Sequence, residues 1–220
     1  MFRAIDPTNG ETVREVPLDD AAAVEHKLET AARAFRSWRD TALPERAERL
    51  RRVAALLREE VEKLAPLMTQ EMGKPIREAR GEVEKCAWCA EHYADHAAEY
   101  LAPLEIASDA TRSYVQHLPL GPVVGILPWN APFWIAFRVC APALMAGNVV
   151  LLKHDPHVPG CAKAITDVFA RAGLPEGVLQ DLVVDVKGAE RALRDRRVRA
   201  ASFTGSARGG GAVAAVTGSE

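Results

Sequence analysis

Cysteine is scarce in this chain. Four cysteines in 220 residues are too few to staple a fold, so a disulfide scaffold is excluded and a reducing cytoplasm is the expected compartment. An excess of either charge is also missing. A net charge of −2 and a pI near 6.3 argue against a nucleic-acid surface or a basic membrane patch. The local basic clusters, Arg46, Arg49, Arg51 and Arg52, then Arg191, Arg194, Arg196 and Arg197, alternate with acids and read as solvated helix faces. The opening MFRAIDPTNGETV has no apolar core of a secretory signal. No internal repeat or low-complexity tract is present, apart from the three glycines 209–211.

Apolar residues are plentiful, at 48%, and the length suits one globular domain or one and a half. Asp6–Gly10, DPTNG, is a turn cluster. Asp19 or Asp20 is placed to cap a helix carrying Val24, Leu28, Ala31, Phe35 and Trp38 on one face. Pro44 suits a first helical turn. A second stripe, Leu50, Val53, Leu57, Val61 and Leu64, follows, with Glu59 and Lys63 spaced to pair across one turn. Gly73 stops a short third helix. Pro75 opens a long fourth through Ile76, Ala79, Val83, Cys86, Ala90, Tyr93 and Ala97. Residues of about 19–100 are therefore read as mostly amphipathic helix.

The composition then changes. Thr111–Leu118 is rich in strand formers. Between Ser113 and Leu152, Arg138 is the single formally charged residue with histidine neutral. The eighteen uncharged residues Leu120–Phe137 raise the question of a membrane span. Pro122, Pro128, Pro132 and Asn130 answer it, because an isolated span must satisfy its backbone internally. The segment reads instead as strand Val123–Leu127, an irregular turn, helix Phe133–Ala146 closed by Gly147, and strand Asn148–Leu152. Helix Gly160–Ala172, strand Leu179–Val184, helix Gly188–Arg194 and strand Val198–Thr204 continue the alternation, which predicts a parallel α/β sheet. Its strand-end loops, Pro128–Pro132, Lys153–Gly160 and Gly205–Gly210, fall on the edge where open sheets bind ligands.

Three features on that edge carry candidate chemistry. FTGSARGG, Phe203–Gly210, suits a phosphate at a helix start or a plain turn. Lys153 suits ribose or phosphate binding, or ordinary snorkelling from a strand end. Asn130 suits an oxyanion donor, or an asparagine chosen for its turn. Cys86-x-x-Cys89-x-x-His92-x-x-x-His96 invites a zinc reading, but ten residues of helix span roughly 15 Å, too far for four ligands on one ion.

DPTNGE, QEMGKPIREARGEVEK (Gln70–Lys85), GPVVGILPWNAPF, PALMAGNVVLLK and FTGS, in this order and spacing, resemble the N-terminal half of the aldehyde dehydrogenase superfamily. GEVEKCAWCAEHYADHA and LLKHDPHVPGCA look most like its succinate-semialdehyde branch. The resemblance implies a single incomplete, Rossmann-like cofactor-binding domain over 1–220, with the βαβ part at about 121–218 and no catalytic domain. It implies Asn130 as oxyanion amide, Pro128 and Trp129 as cofactor-binding residues shaping the turn beside the cofactor, Lys153 on the adenosine ribose, Gly205 and Ser206 at the pyrophosphate, and Gly210 at a close helix approach. Arg138 is placed for a substrate carboxylate, or for a structural ion pair. NAD or NADP is the implied cofactor and a small aldehyde the implied substrate; the family forms homo-oligomers. Pro156 stands where NAD-preferring members usually carry a glutamate, with Asp155 before it. The family's Glu-Leu-Gly-Gly base motif and its nucleophile motif are expected to lie beyond Glu220, so the chain by itself is expected to be inactive. The rival expectation is a non-catalytic remnant or a nucleotide-binding accessory module.

Overall fold

In the computed structural model, which describes residues 1–218, the chain opens with an antiparallel hairpin of β1 (Phe2–Ile5) and β2 (Thr12–Val16). The expected turn joins them, with the Thr8 amide donating to Asp6 Oδ1 at 2.8 Å. Four helices follow: α1 (Ala21–Trp38), α2 (Leu43–Glu59), α3 (Val61–Met72) and α4 (Ile76–Tyr100). Asp20 is the α1 cap, accepting from the Ala23 amide at 2.8 Å. Asp19 is used elsewhere: its carboxylate accepts from Val183 N at 2.8 Å and pairs with Lys27 at 2.6 Å.

The stripe Leu50–Leu64 is not one helix. It breaks at Glu60, whose φ of −110° and ψ of 16° leave the helical region. Arg171, from the later helix α6 (Pro159–Arg171), captures the Glu60 carboxylate at that break. Lys63 accordingly pairs with Glu60 at 3.5 Å rather than with Glu59. Thr111–Leu118 also contracts, to β4 (Tyr114–Val115), which pairs only with β3 (Leu104–Glu105). Both strands are exposed, so no buried face extends the ladder.

The remaining chain alternates β5 (Pro122–Ile126), α5 (Pro132–Met145), β6 (Val149–Lys153), α6, β7 (Leu179–Asp181), α7 (Val186–Leu193), β8 (Ala200–Phe203) and α8 (Ala207–Thr217). The strands form one parallel sheet in the order β7-β6-β5-β8. β7 ends three residues early because Val183 N turns to Asp19 instead of the ladder. Right-handed crossovers put α5 and α6 on one face, backed by α2, α3 and α4, and α7 on the other beside α1. The core lies under α5 and α6, where Phe137 and Phe169 meet with ring centroids 5.1 Å apart. β5 and β6 are continuous apolar runs because both faces are covered. At Gly147 the chain takes φ 86° to leave α5, which a side chain would resist. The triple glycine does not end α8, which runs to Thr217, but none of its residues is buried. No helix among the described residues is long and apolar enough to cross a membrane.

Candidate functional site

The sheet changes direction at β5. β6 and β7 succeed one another on one side of it, and β8 returns to the other. Crossovers therefore diverge on either side of β5, which opens a crevice beyond the strand ends. The three loops expected there leave the C-terminal ends of parallel strands: residues 128–132 after β5, 154–158 after β6 and 204–206 after β8.

Beside the end of β8 lies a cleft of about 190 Å³. Lys153 borders it, with Ile126, Val186, Phe203, Gly209 and Val213 among its walls. Lys153 is half-buried, and burial holds its ammonium below the usual lysine range, partly offset by Asp155 and Asp185. The FTGS turn packs Phe203 against its own glycines. A Cβ at Gly205 would lie 2.6 Å from the Phe203 ring and one at Gly209 2.7 Å. At Gly210 the same distance is 3.6 Å. Ser206 is the N-cap of α8, its Oγ accepting from Gly209 N at 3.2 Å.

Asn130 is exposed in the turn, and its amide has no hydrogen-bond partner among the described residues. Trp129 beside it is 45% exposed, and Pro128 is half-buried. Arg138, in α5, is exposed and forms no ion pair among the described residues. Its positive charge acts on Cys89 and Tyr93 of α4.

Sequence reading missed the groups that hold these loops. α5 and α6 lack side-chain caps of their own. Glutamates from the α3–α4 corner supply them. Glu82 Oε1 accepts from Phe133 N at 2.9 Å and Trp134 N at 3.0 Å, and its other oxygen binds Lys74. Glu71 accepts from Gly160 N at 2.8 Å and Cys161 N at 2.9 Å, with Arg14 Nε at 3.1 Å. A Cβ on Gly160 would lie 2.5 Å from that Arg14 nitrogen, so only glycine admits the pair. Anionic groups at helix starts are also favoured by the dipole. A visible signal was available: Glu71 and Glu82 fall on the apolar stripes Leu64–Met68 and Ala79–Val83–Cys86, where an unpaired charge would not survive burial.

His154 was likewise missed. It is 4% exposed, and burial pushes its pKa down to about 4. The neutral ring therefore donates from Nε2 to Pro132 O at 2.9 Å and accepts Asp155 N at Nδ1, 3.0 Å away. Asp155 itself is engaged by His157, through the amide at 3.0 Å and Nδ1 at 2.6 Å.

All four cysteines are buried. Burial lifts Cys89 to about 11 and Cys140 to about 12, and Cys86 and Cys161 well above their ordinary value. None offers a thiolate. Along α4, Cys86 and Cys89 face inward while His92 and His96 stack on the exposed face, 4.6 Å apart. No group of three or more metal-ligating residues exists among the described residues. A groove of about 760 Å³ runs along the outer edge of β7 past Arg14, Lys27, Lys163 and Asp181. Of the three strand-end loops expected from the sequence it meets one residue, Pro159, at the start of α6.

A family model described as aldehyde dehydrogenase family matches residues 1–220. A Synechocystis protein named as a probable NADP(+) succinate-semialdehyde dehydrogenase is 44% identical over 92% of this chain and 44% of its own length. An Escherichia coli NAD(P)+ succinate semialdehyde dehydrogenase is 40% identical over 98% of this chain and 46% of its own. The crystal structure of a Streptococcus pyogenes succinic semialdehyde dehydrogenase with NADP+ superposes with a TM-score of 0.97 at 32% identity, over all of this chain and 48% of that one. The chain spans about half the length of the curated relatives it matches.

Proposed function

The chain belongs to the aldehyde dehydrogenase family, and from that premise we propose that it is the nucleotide-holding half of an NAD(P)-dependent enzyme oxidising succinate semialdehyde to the acid. One observation carries the proposal: a lysine at the end of β6 borders an apolar cleft at the point where the sheet changes direction. At about 190 Å³ the cleft has room for part of a nicotinamide dinucleotide. Its apolar walls suit a flat heterocycle, Lys153 suits ribose hydroxyls or phosphate, and Gly205, without a side chain, lets an anion approach the backbone before α8, which Ser206 caps. When bound, the nucleotide supplies the hydride acceptor.

The chain's own residues bind and orient. Asn130 presents an unpartnered amide to the developing oxyanion, a contribution of about 3 kcal/mol in comparable sites. Pro128 and Trp129 hold that turn. Arg138 lies six residues into α5, about 9 Å along the helix from Pro132, with its guanidinium free for a carboxylate. This favours an acidic aldehyde over an uncharged one. Pro156 leaves the ribose without the usual glutamate, and His157 occupies Asp155, so the site accommodates NADP+ as well as NAD+.

The nucleophile is not among the four buried thiols. The 220-residue chain is thus expected to bind nucleotide without turning over aldehyde. Calorimetry with NADP+ and NAD+ tests this. Micromolar binding, weakened at least about tenfold by Lys153→Met, supports the nucleotide site. Absence of binding favours the remnant reading, and NADPH formation from succinate semialdehyde by the purified chain removes the claim of inactivity.

A further inference from the structure

The loop after Lys153 and the turn bearing Asn130 are joined to each other. Their far ends are fixed, because Glu71 pins the start of α6 and Glu82 pins the start of α5. Both glutamates are nearly fully buried and project from one rigid corner, α3–Gly73–Lys74–Pro75–α4, in which Lys74 binds Glu82. Between the near ends, the sheet ladder makes its last bond from Leu127 N to Lys153 O at 3.1 Å. One further hydrogen bond joins the loops beyond it among the described residues: His154 Nε2 to Pro132 O at 2.9 Å. His154 neighbours Lys153 in sequence, and Pro132 is two residues past Asn130. A buried ring with both nitrogens used has one orientation, so a shift of the Lys153 loop must carry Pro132 with it.

We infer that His154 is a positioning residue coupling the nucleotide loop to the Asn130 turn, so that filling the Lys153 cleft stiffens residues 129–135. The inference rests on the nucleotide site proposed above.

Amide hydrogen exchange on the 220-residue chain, with and without saturating NADP+, tests it. Exchange at residues 129–135 is expected to slow by about fivefold or more, the lower end of ordinary coupling between sites. In His154→Leu, NADP+ should still bind and protect residues 153–161, while protection of 129–135 disappears. His154→Gln, whose amide nitrogen can donate to Pro132 O, should restore it. Should the leucine variant lose its helical circular dichroism, His154→Phe removes the nitrogens while keeping a ring. Equal protection of 129–135 in the wild type and these variants would show direct nucleotide contact and overturn the inference. Binding that leaves 129–135 unchanged in the wild type overturns it too. No NADP+ binding at all removes the nucleotide site, and this coupling with it.

Discussion

Acid should weaken this fold through His154. The ring is enclosed by the loop residues Lys153 and Asp155 and by the Pro132 carbonyl, with Asp181 and Phe2 in the same small space. Burial takes its pKa from 6.5 to about 4. The unfolded chain therefore binds a proton below about pH 6.5 that the folded chain refuses. The contribution of His154 is full above that pH and is lost as pH falls towards 4. At 1.36 kcal/mol per pH unit, the interval is worth about 3 kcal/mol. Asp181 acts in the opposite sense. Burial lifts its carboxyl from 3.8 to about 7, so its contribution is largest in acid and fades as pH rises through 7. Comparing wild type with His154→Gln cancels Asp181 and the paired surface carboxylates. Urea unfolding at about pH 7 and about pH 4.5 should show wild type losing about 2–3 kcal/mol relative to the variant between the two. A difference that does not change with pH would refute a neutral, buried His154.

Glu82→Ala should cost about 3–5 kcal/mol in thermal or urea unfolding, since it strands the half-buried Lys74 and two helix-start amides; a loss under about 1 kcal/mol would mean the cap is dispensable. Gly160→Ala should cost about 1–3 kcal/mol, because the added methyl intrudes on the Glu71–Arg14 pair; an unchanged melting temperature would contradict that packing. β8 has a partner on one side only, and α8 buries none of its residues. The isolated chain should therefore self-associate with rising concentration in sedimentation runs, and a clean monomer throughout would count against it.

The β5–α5–β6 run was legible because its signals are local. Apolar strands are bounded by prolines, and a helix is closed by glycine. The same holds for the Asp20 cap and the Pro44 start. What failed depended on distant partners. Glu60 breaks a helix because Arg171 reaches it from 111 residues away. β7 stops because Asp19 takes its next amide. Lys153 could be named from its strand end, but the cleft beside it needs α7 and α8 to approach Phe203. Glu71, Glu82 and His154 carry the site loops from inside the protein. Their roles are invisible until tertiary structure supplies their partners. For Arg138 the sequence left two readings, and among the described residues it forms no ion pair.

The most direct test maps NADP+ on the chain by NMR. Backbone resonances of Lys153, Val186, Phe203–Ser206, Gly209 and Val213 should move together with one dissociation constant. Saturation without shifts there, or shifts centred on Arg14, Lys27 and Lys163 along the β7 edge, would contradict a nucleotide site at the direction change of the sheet.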